Sequence, residues 1–471
     1  MHSDSWEVSG YLEARGGRLH MEDQDLVALA EARGTPLFVY SERRLAANAR
    51  RVREAFAAHH PRTVVCYASK ALSSLKVLRL FNDCGLKVEV NSGGELFRAR
   101  LSGFPPSAIV FNGVGKSVLE IREALSPPIL SINVDSLFEL GRIAETASAM
   151  NVTAQIALRV VPGIDSPTAP GNRTGSDATK FGIRANELAD ALTTVRSNPR
   201  TLRLVGLHCH IGSQIPDIEA FVSAAHRVAE LYRPIRQEFG SLAHLNIGGG
   251  FPLTYLREAN DWQDGIFSPT IDCEDVARAV LPLLAAELGT DIEILTEPGR
   301  RLVGDCAVLL SRIENVKDRP GGRCLVLDAG YNTLVESYTY KWYYHALSAS
   351  KLGEAEAPFR LVGPLCDNGD AFHDIDGEQS AARLRSDPTF ADRGDLLDAL
   401  LVRMPPTRHL AASAGPGDIV AFLDVGAYTL DQLTPNNGRL RPEVGFLRAD
   451  GSYELLRRRD SYLDLLHNEV A

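Results

Sequence analysis

Lys70 ends an apolar, β-branched run, Val64-Val-Cys-Tyr-Ala-Ser-Lys70, and an amphipathic pattern opens a few residues later at Leu75. A lysine where a buried strand meets its following loop must be kept wet, paired or neutralised. If desolvated, it loses its proton and can form a Schiff base with a carbonyl. The plain alternative is a lysine whose stem snorkels out of a strand end. Downstream, Gly206-Leu-His208-Cys-His210-Ile-Gly-Ser213 places two histidines two apart, on one face of a strand if the strand reaches both. With no third ligand at suitable spacing, metal binding is not expected. One imidazole could lie against a cofactor ring while Ser213 donates to a phosphate, or both could be core histidines. Asn246-Ile-Gly248-Gly249-Gly250-Phe251 lacks every Cβ over three residues, which lets backbone N–H groups approach an anion or simply makes a turn. Thr296-Glu297-Pro-Gly-Arg300 ends another apolar run. Its glutamate could pair with Arg300, or hold a pyridine nitrogen in the protonated form that makes the ring an electron sink. Gly363-Pro-Leu-Cys366-Asp367-Asn-Gly-Asp370 sets acids beside a thiol. They should raise its pKa and favour a neutral acid over a thiolate, unless the cysteine is inert. Asp424-Val-Gly-Ala-Tyr428 presents a tyrosine after a glycine turn, for a cofactor or for the core.

The elements that would position these residues alternate. Strand patterns at 37–40, 64–68, 87–90, 109–111, 129–134, 155–161, 204–210, 245–247 and 293–296 are separated by helical patterns such as 41–60, 94–101, 118–125, 218–239 and 273–288. Such alternation over about 260 residues predicts a parallel α/β fold, and the number of units favours a closed (β/α)8 barrel over an open sheet. No Gly-x-Gly-x-x-Gly follows the first strand, which argues against a dinucleotide fold. After Arg300 short β-rich runs dominate and helical periodicity is scarce. This predicts a second domain, a β-barrel or sandwich, with 379–413 as an excursion from it. The expected division is 1–35 as an N-terminal segment joining the β-domain, 36–297 as the barrel, and 298–471 as the β-domain.

At 471 residues the chain has room for two or three domains. Its net charge of −10 argues against nucleic acid or an anionic membrane as the main partner. The start carries no signal-peptide pattern and no apolar run is long enough to span a bilayer. Seven scattered cysteines without CxxC spacing fit reduced thiols in the cytoplasm better than disulfides or zinc.

Taken in order, these motifs resemble the fold-type III pyridoxal-phosphate decarboxylases, which include diaminopimelate, ornithine and arginine decarboxylases. The resemblance runs from about Thr35 to Leu466. It implies a barrel plus a β-domain, an amino-acid substrate, pyridoxal 5'-phosphate as cofactor, and a homodimer with shared active sites. In its terms Lys70 matches the lysine that holds the cofactor, His210 the stacked imidazole, Glu297 the partner of the pyridine nitrogen, and Glu89 an acid near the lysine. Ser213, Gly248, Gly249, Gly250, Arg300 and Tyr428 match phosphate or substrate contacts. Cys366 matches the cysteine lent across the dimer to protonate the product carbon.

Departures from the pattern bear on the substrate. Diaminopimelate decarboxylases usually carry a Met-Arg-Pro arginine after the Asp-Ala-Gly motif. Here Asp328-Ala-Gly-Tyr331-Asn-Thr-Leu-Val is followed by Glu336. Asp367 and Asn368 stand where that family usually has glutamate and serine, and Cys-Asp is the ornithine decarboxylase form. The stretches Phe111-Asn-Gly-Val-Gly-Lys116 and 418–429 are similar to a bacterial D-ornithine/D-lysine decarboxylase group. Asp328, Glu336 and Asp367 thus join Arg300 and Tyr428 as expected substrate contacts. The leading expectation is decarboxylation of an amino acid with a distal amine. The alternatives are diaminopimelate decarboxylation and decarboxylation of a conjugated amino acid in siderophore or antibiotic assembly. A racemase would share the barrel and lysine but lack the Cys366 motif. A pyridoxal-phosphate carrier would need only the barrel.

Overall fold

The computed structural model describes residues 6–257, 265–390 and 393–470. Parts of the expected N-terminal segment (residues 1–5) and of the excursion (391 and 392) lie outside the described residues. The chain divides into two compact units. One comprises Leu45–Leu253 and Pro269–Val303, the other Met1–Arg44, Thr254–Ser268 and Gly304–Ala471.

The first unit is a closed, all-parallel barrel. Its strands are β1 (Thr63–Ala68), β2 (Lys87–Val90), β3 (Ile109–Phe111), β4 (Ser131–Val134), β5 (Ala154–Arg159), β6 (Leu202–His208), β7 (His244–Asn246) and β8 (Glu293–Thr296). Closure is made where β8 pairs with β1, Leu295 opposite Val64 and Thr296 opposite Val65. Inside, Cys66, Val110 and Leu295 are fully buried against one another. A barrel strand has both faces covered, which is why these runs are apolar rather than alternating.

Short side chains start the outer helices at the ends of the strands. Ser92, Ser117, Ser136, Asp217 and Asp272 each accept a hydrogen bond from a first-turn N–H of the helices Gly93–Leu101, Val118–Ala124, Leu137–Met150, Ile218–Phe239 and Cys273–Leu288. Such caps satisfy donors that the helix itself leaves unpaired. At Ser92 and Ser136 the chain turns over within a few residues of its strand, and the residues between strand and cap fall at the barrel mouth, where barrel enzymes carry their sites.

The second unit is mostly strand, with a nine-stranded sheet at its centre. Its longest strand, Ala307–Arg319, pairs antiparallel with Leu37–Ser41, Gly322–Leu327 and Ile419–Leu423. Leu37, Val39, Val308, Leu310, Ala421 and Leu423 form its core, joined by Leu19 and Met21 of an N-terminal hairpin.

Two expectations need correction here. The strand at 37–40 was expected in the barrel, but Leu37–Ser41 lies in the second sheet, between Ala307–Arg319 and Glu443–Leu447. Every residue of it is buried, so its pattern cannot tell one sheet from another. The region after Arg300 also holds more helix than its periodicity predicted, including Ile375–Arg385 and Gly394–Leu401 in and beside the 379–413 excursion.

Candidate active site

β1 runs directly into a short 3-10 turn, Ser69–Ala71, that presents Lys70. The turn is tied down from the neighbouring unit of the barrel. The Ser69 hydroxyl donates to Glu95 Oε2 at 2.9 Å, and the same oxygen accepts the Asn91 N–H at 2.8 Å. Lys70 itself is exposed, so of the three ways of keeping a lysine at a strand end its charge is kept wet in the cofactor-free chain. Glu89, on β2, is fully buried. Neither of its carboxylate oxygens has a hydrogen-bond partner among the described residues. Burial pushes its pKa up to about 8, against the pull of the Lys70 charge and with help from the negative charge on Glu297.

Glu297 is a buried acid held from three strands of the barrel. It follows β8 and is 6% exposed. Its Oε1 accepts from Asn246 Nδ2 at 2.6 Å, and its Oε2 accepts from Asn112 Nδ2 at 2.9 Å and faces His208 Nε2 at 3.2 Å. Burial alone would raise its pKa. Hydrogen bonds from His208 Nε2 and the Asn246 amide oppose that cost and hold the carboxyl below the ordinary range. The carboxylate is therefore anionic at neutral pH. A carboxylate offers about four acceptor directions, and three are taken, so one remains for a donor from a ligand.

The histidine pair is not a same-face pair on a strand. β6 stops at His208, and His210 stands in the loop beyond it. His210 is half-buried, and its Nδ1 accepts the Gly249 N–H at 3.2 Å, which leaves the ring hydrogen on Nε2. Burial, reinforced by the Lys70 and Arg159 charges, holds its pKa well below the ordinary value. A neutral, backbone-anchored imidazole suits a flat contact with an aromatic ring.

The glycine loop is shaped by crowding. A Cβ on Gly249 would collide with the Glu297 carbonyl, and one on Gly250 with the Gly212 carbonyl, and Gly250 has φ +96°. Two of the N–H groups expected to greet an anion are engaged internally: Gly248 donates to Asn246 Oδ1 at 2.9 Å and Gly249 to His210. Arg300 is buried in the following short helix. Ser213 anchors its own loop, its N–H donating to Asn172 O and its carbonyl accepting from the Thr168 hydroxyl.

The remaining expected residues lie in the second unit. Cys366 is exposed, with its N–H on Asn437 Oδ1 at 2.7 Å. Asp367 accepts from the Tyr331 hydroxyl at 3.1 Å and from the Gly369 N–H at 2.8 Å. Glu336 is buried in the helix Val335–Thr339. Asp328 Oδ1 accepts from the Ser311 hydroxyl and the Arg312 N–H, which makes it a tie within its own sheet. Tyr428 has φ 57° and Asp424 φ 58°. That loop is held by the bidentate Arg257–Asp424 pair at 2.7 and 2.6 Å.

Sequence reasoning passed over Asn112, Asn133, Arg159 and Glu95. The first three are polar residues at or near strand ends in apolar contexts, Phe111-Asn112, Ile132-Asn133 and Leu158-Arg159. In a barrel that position is itself a signal. Arg159 is 7% exposed, lies 3.5 Å from Asp135 Oδ1 and sits over the Phe181 ring.

Among the described residues no group of three or more His, Cys, Asp and Glu is arranged to hold a metal ion. Among the described residues no helix is long and apolar enough to cross a membrane. All seven cysteines are free thiols. The donor set of the barrel mouth fits a pyridoxal ring: a lysine for the aldehyde, an anionic carboxylate with one free direction for the ring nitrogen, and a neutral imidazole for the ring face.

Comparison with known proteins agrees. The family described as pyridoxal-dependent decarboxylase, pyridoxal binding domain, matches residues 42–304. The diaminopimelate decarboxylase of Aquifex aeolicus is 31% identical over 97% of this chain and 96% of its own. That of Neisseria meningitidis serogroup A is 33% identical over 94% and 97%. The crystal structure of the Methanocaldococcus jannaschii diaminopimelate decarboxylase in complex with L-lysine superposes with a TM-score of 0.83, at 30% identity and 98% coverage of both chains.

Proposed function

This chain belongs to the pyridoxal-dependent decarboxylases, and from that premise we propose that it removes the α-carboxylate of a diamino acid, diaminopimelate being the substrate its relatives support. The observation that carries the reading is the buried, anionic Glu297, held by Asn112, Asn246 and His208 at the mouth of a barrel that also presents Lys70. Pyridoxal phosphate, when bound, supplies the sink for the electron pair left as carbon dioxide departs. The chain's own residues bind, orient and move protons. Lys70 would hold the cofactor covalently. Glu297 would accept from the ring nitrogen and keep it protonated, and neutral His210 would lie against the ring. Glu89, with its raised pKa, would hold or release a proton beside Lys70. Ser213, Gly248, Gly249, Gly250, Arg300 and Tyr428 would serve the phosphate and the substrate's carboxylate. With Gly248 and Gly249 already donating within the protein, that task falls mainly on the others. The exposed Cys366 thiol would return a proton to the α-carbon, lent by a second copy in a homodimer. Seven free thiols support an enzyme of the reducing cytoplasm.

A second reading replaces diaminopimelate with ornithine or lysine. It is favoured by Glu336, which stands where the resemblance expects an arginine for a distal carboxylate, and by Asp367 after Cys366. Both readings give the substrate a distal ammonium, and Asp367 suits either. Carbon dioxide release from meso-diaminopimelate and from L- and D-ornithine and lysine, with added pyridoxal phosphate, tests them. Turnover of meso-diaminopimelate is expected. Preference for ornithine or lysine would replace the first reading with the second, and no release from any of them would overturn both.

A further inference from the structure

Glu297 is not held by its neighbours alone. Behind Asn112 stands a second carboxamide, Asn133 of β4, whose Nδ2 donates to Asn112 Oδ1 at 2.6 Å. The Ser131 hydroxyl, also on β4, lies 3.3 Å from Asn133 Oδ1 and donates to it. Both asparagines are buried and Ser131 is fully buried. Hydrogen bonding therefore runs one way, from Ser131 to Asn133 to Asn112 to Glu297 Oε2. An isolated asparagine amide can turn over and present its oxygen. Here the Asn133 donor occupies the Asn112 oxygen, so the amide N–H is committed to the carboxylate. A chain of aligned donors also polarises each member toward the anion at its end. The chain crosses the barrel from β4 through the end of β3 to the end of β8, residues that no local motif links.

We infer that Asn112 is a positioning residue, oriented by Asn133, that holds Glu297 as an anion aimed at the ring nitrogen of the bound cofactor and thereby sets the protonation of that nitrogen. The inference rests on the placement of Glu297 against the ring nitrogen proposed above. Other titratable groups facing Glu297 are His208, Cys209 and His210 from the β6 end, Glu89 from β2, Arg159 from β5, Cys66 from β1 and His244 from β7. Of these only His208 shares the hydrogen-bonding oxygen. The amide chain is thus a separate input to the charge of Glu297.

The test loads the full-length protein with pyridoxal phosphate labelled with ¹⁵N in the ring and reads the ring-nitrogen chemical shift. Asn112→Leu is close in size and removes the donor without adding a charge. Asn133→Ala removes the orienting bond and touches no part of Glu297. Glu297→Gln is the reference. The expected result is a ring-nitrogen signal moved toward the unprotonated value in Asn112→Leu and, less far, in Asn133→Ala. The turnover number should fall by about tenfold in the first, the loss of one charge-assisted bond, with the cofactor still attached. The inference is overturned if both variants keep the parent signal while Glu297→Gln shifts it. If Glu297→Gln also leaves the signal unchanged, the placement of Glu297 against the ring fails, and the inference with it.

Discussion

The backbone of Gly249 passes so close to the carbonyl oxygen of Glu297 that no Cβ fits between them. The Glu297 N–H donates to the Gly248 carbonyl at 2.7 Å, so two βα loops are stitched together at the carboxylate proposed to meet the ring nitrogen. A methyl group on residue 249 must push them apart. Gly249→Ala is expected to cost about 1–3 kcal/mol of stability, as overpacking does. It should also weaken pyridoxal phosphate binding, because Gly249 donates to His210 and lies against Glu297. Thermal unfolding and cofactor titration of the same variant check both. An unchanged cofactor affinity would separate the loop's packing from the site.

Lys70 should be the residue that carries the cofactor. Borohydride reduction followed by peptide mapping is expected to label Lys70, and Lys70→Ala should lose both the label and turnover. Glu95→Gln is the subtler variant. It weakens the anchor on Ser69 and Asn91 without touching the lysine, and turnover should drop by about tenfold, in line with one charge-assisted bond. A label on another lysine would refute the assignment.

Much of this site could be read from residue types at strand ends. Lys70, Glu297 and the His208/His210 pair each follow a short apolar run, and in a parallel barrel those positions converge. The hydrogen bonds among them could not be read. Asn112 and Glu297 are 185 residues apart, and an asparagine after a strand is as ordinary in a turn as in a site. Nor could the end of β6 be placed, since Cys209 and Ile211 are as apolar as the strand they follow. The all-buried Leu37–Ser41 illustrates the same limit for the fold, because an unbroken apolar run suits any covered sheet. Expected anion donors at Gly248 and Gly249 failed for another reason: whether a glycine N–H is free depends on which loop lies beside it.

Glu89 should make the stability of the cofactor-free protein depend on pH. Its carboxyl has a pKa of about 8 in the fold against 4.5 in the unfolded chain. Between those values the folded state binds the extra proton, so stability is full below about pH 4.5 and falls as pH rises toward 8. Glu89→Gln keeps the neutral shape and should remove this slope, leaving the variant more stable than the parent at pH 8, by a few kcal/mol at most. Denaturant midpoints at pH 6 and pH 8.5 measure it. Parallel slopes in parent and variant would show that Glu89 is ionised in the fold.

A shared active site predicts complementation. Lys70 belongs to the barrel unit and Cys366, exposed, to the strand-rich unit. Lys70→Ala and Cys366→Ala should each be inactive alone. Mixed under conditions that exchange subunits, they should recover up to about a quarter of the parent activity, since one site per mixed dimer is intact. No recovery in the presence of demonstrated heterodimers would mean that each chain completes its own site.

The distal end of the substrate should be read by Asp367 and Glu336. Asp367 is held by the Tyr331 hydroxyl and the Gly369 N–H, so its carboxylate is fixed in place before a substrate arrives. A buried ammonium without an anion is unfavourable by several kcal/mol. Asp367→Asn should therefore raise the KM for any diamino substrate by about tenfold or more and leave cofactor affinity unchanged. Glu336 separates the two substrate readings. A carboxylate there repels a distal carboxylate, so Glu336→Gln should improve the kcat/KM for meso-diaminopimelate relative to ornithine by about tenfold if Glu336 faces the substrate. The measurement is the ratio of the two specificity constants in the parent and in both variants. A ratio that Glu336→Gln leaves unmoved would take Glu336 out of the pocket and remove the one observation that sets ornithine or lysine against diaminopimelate.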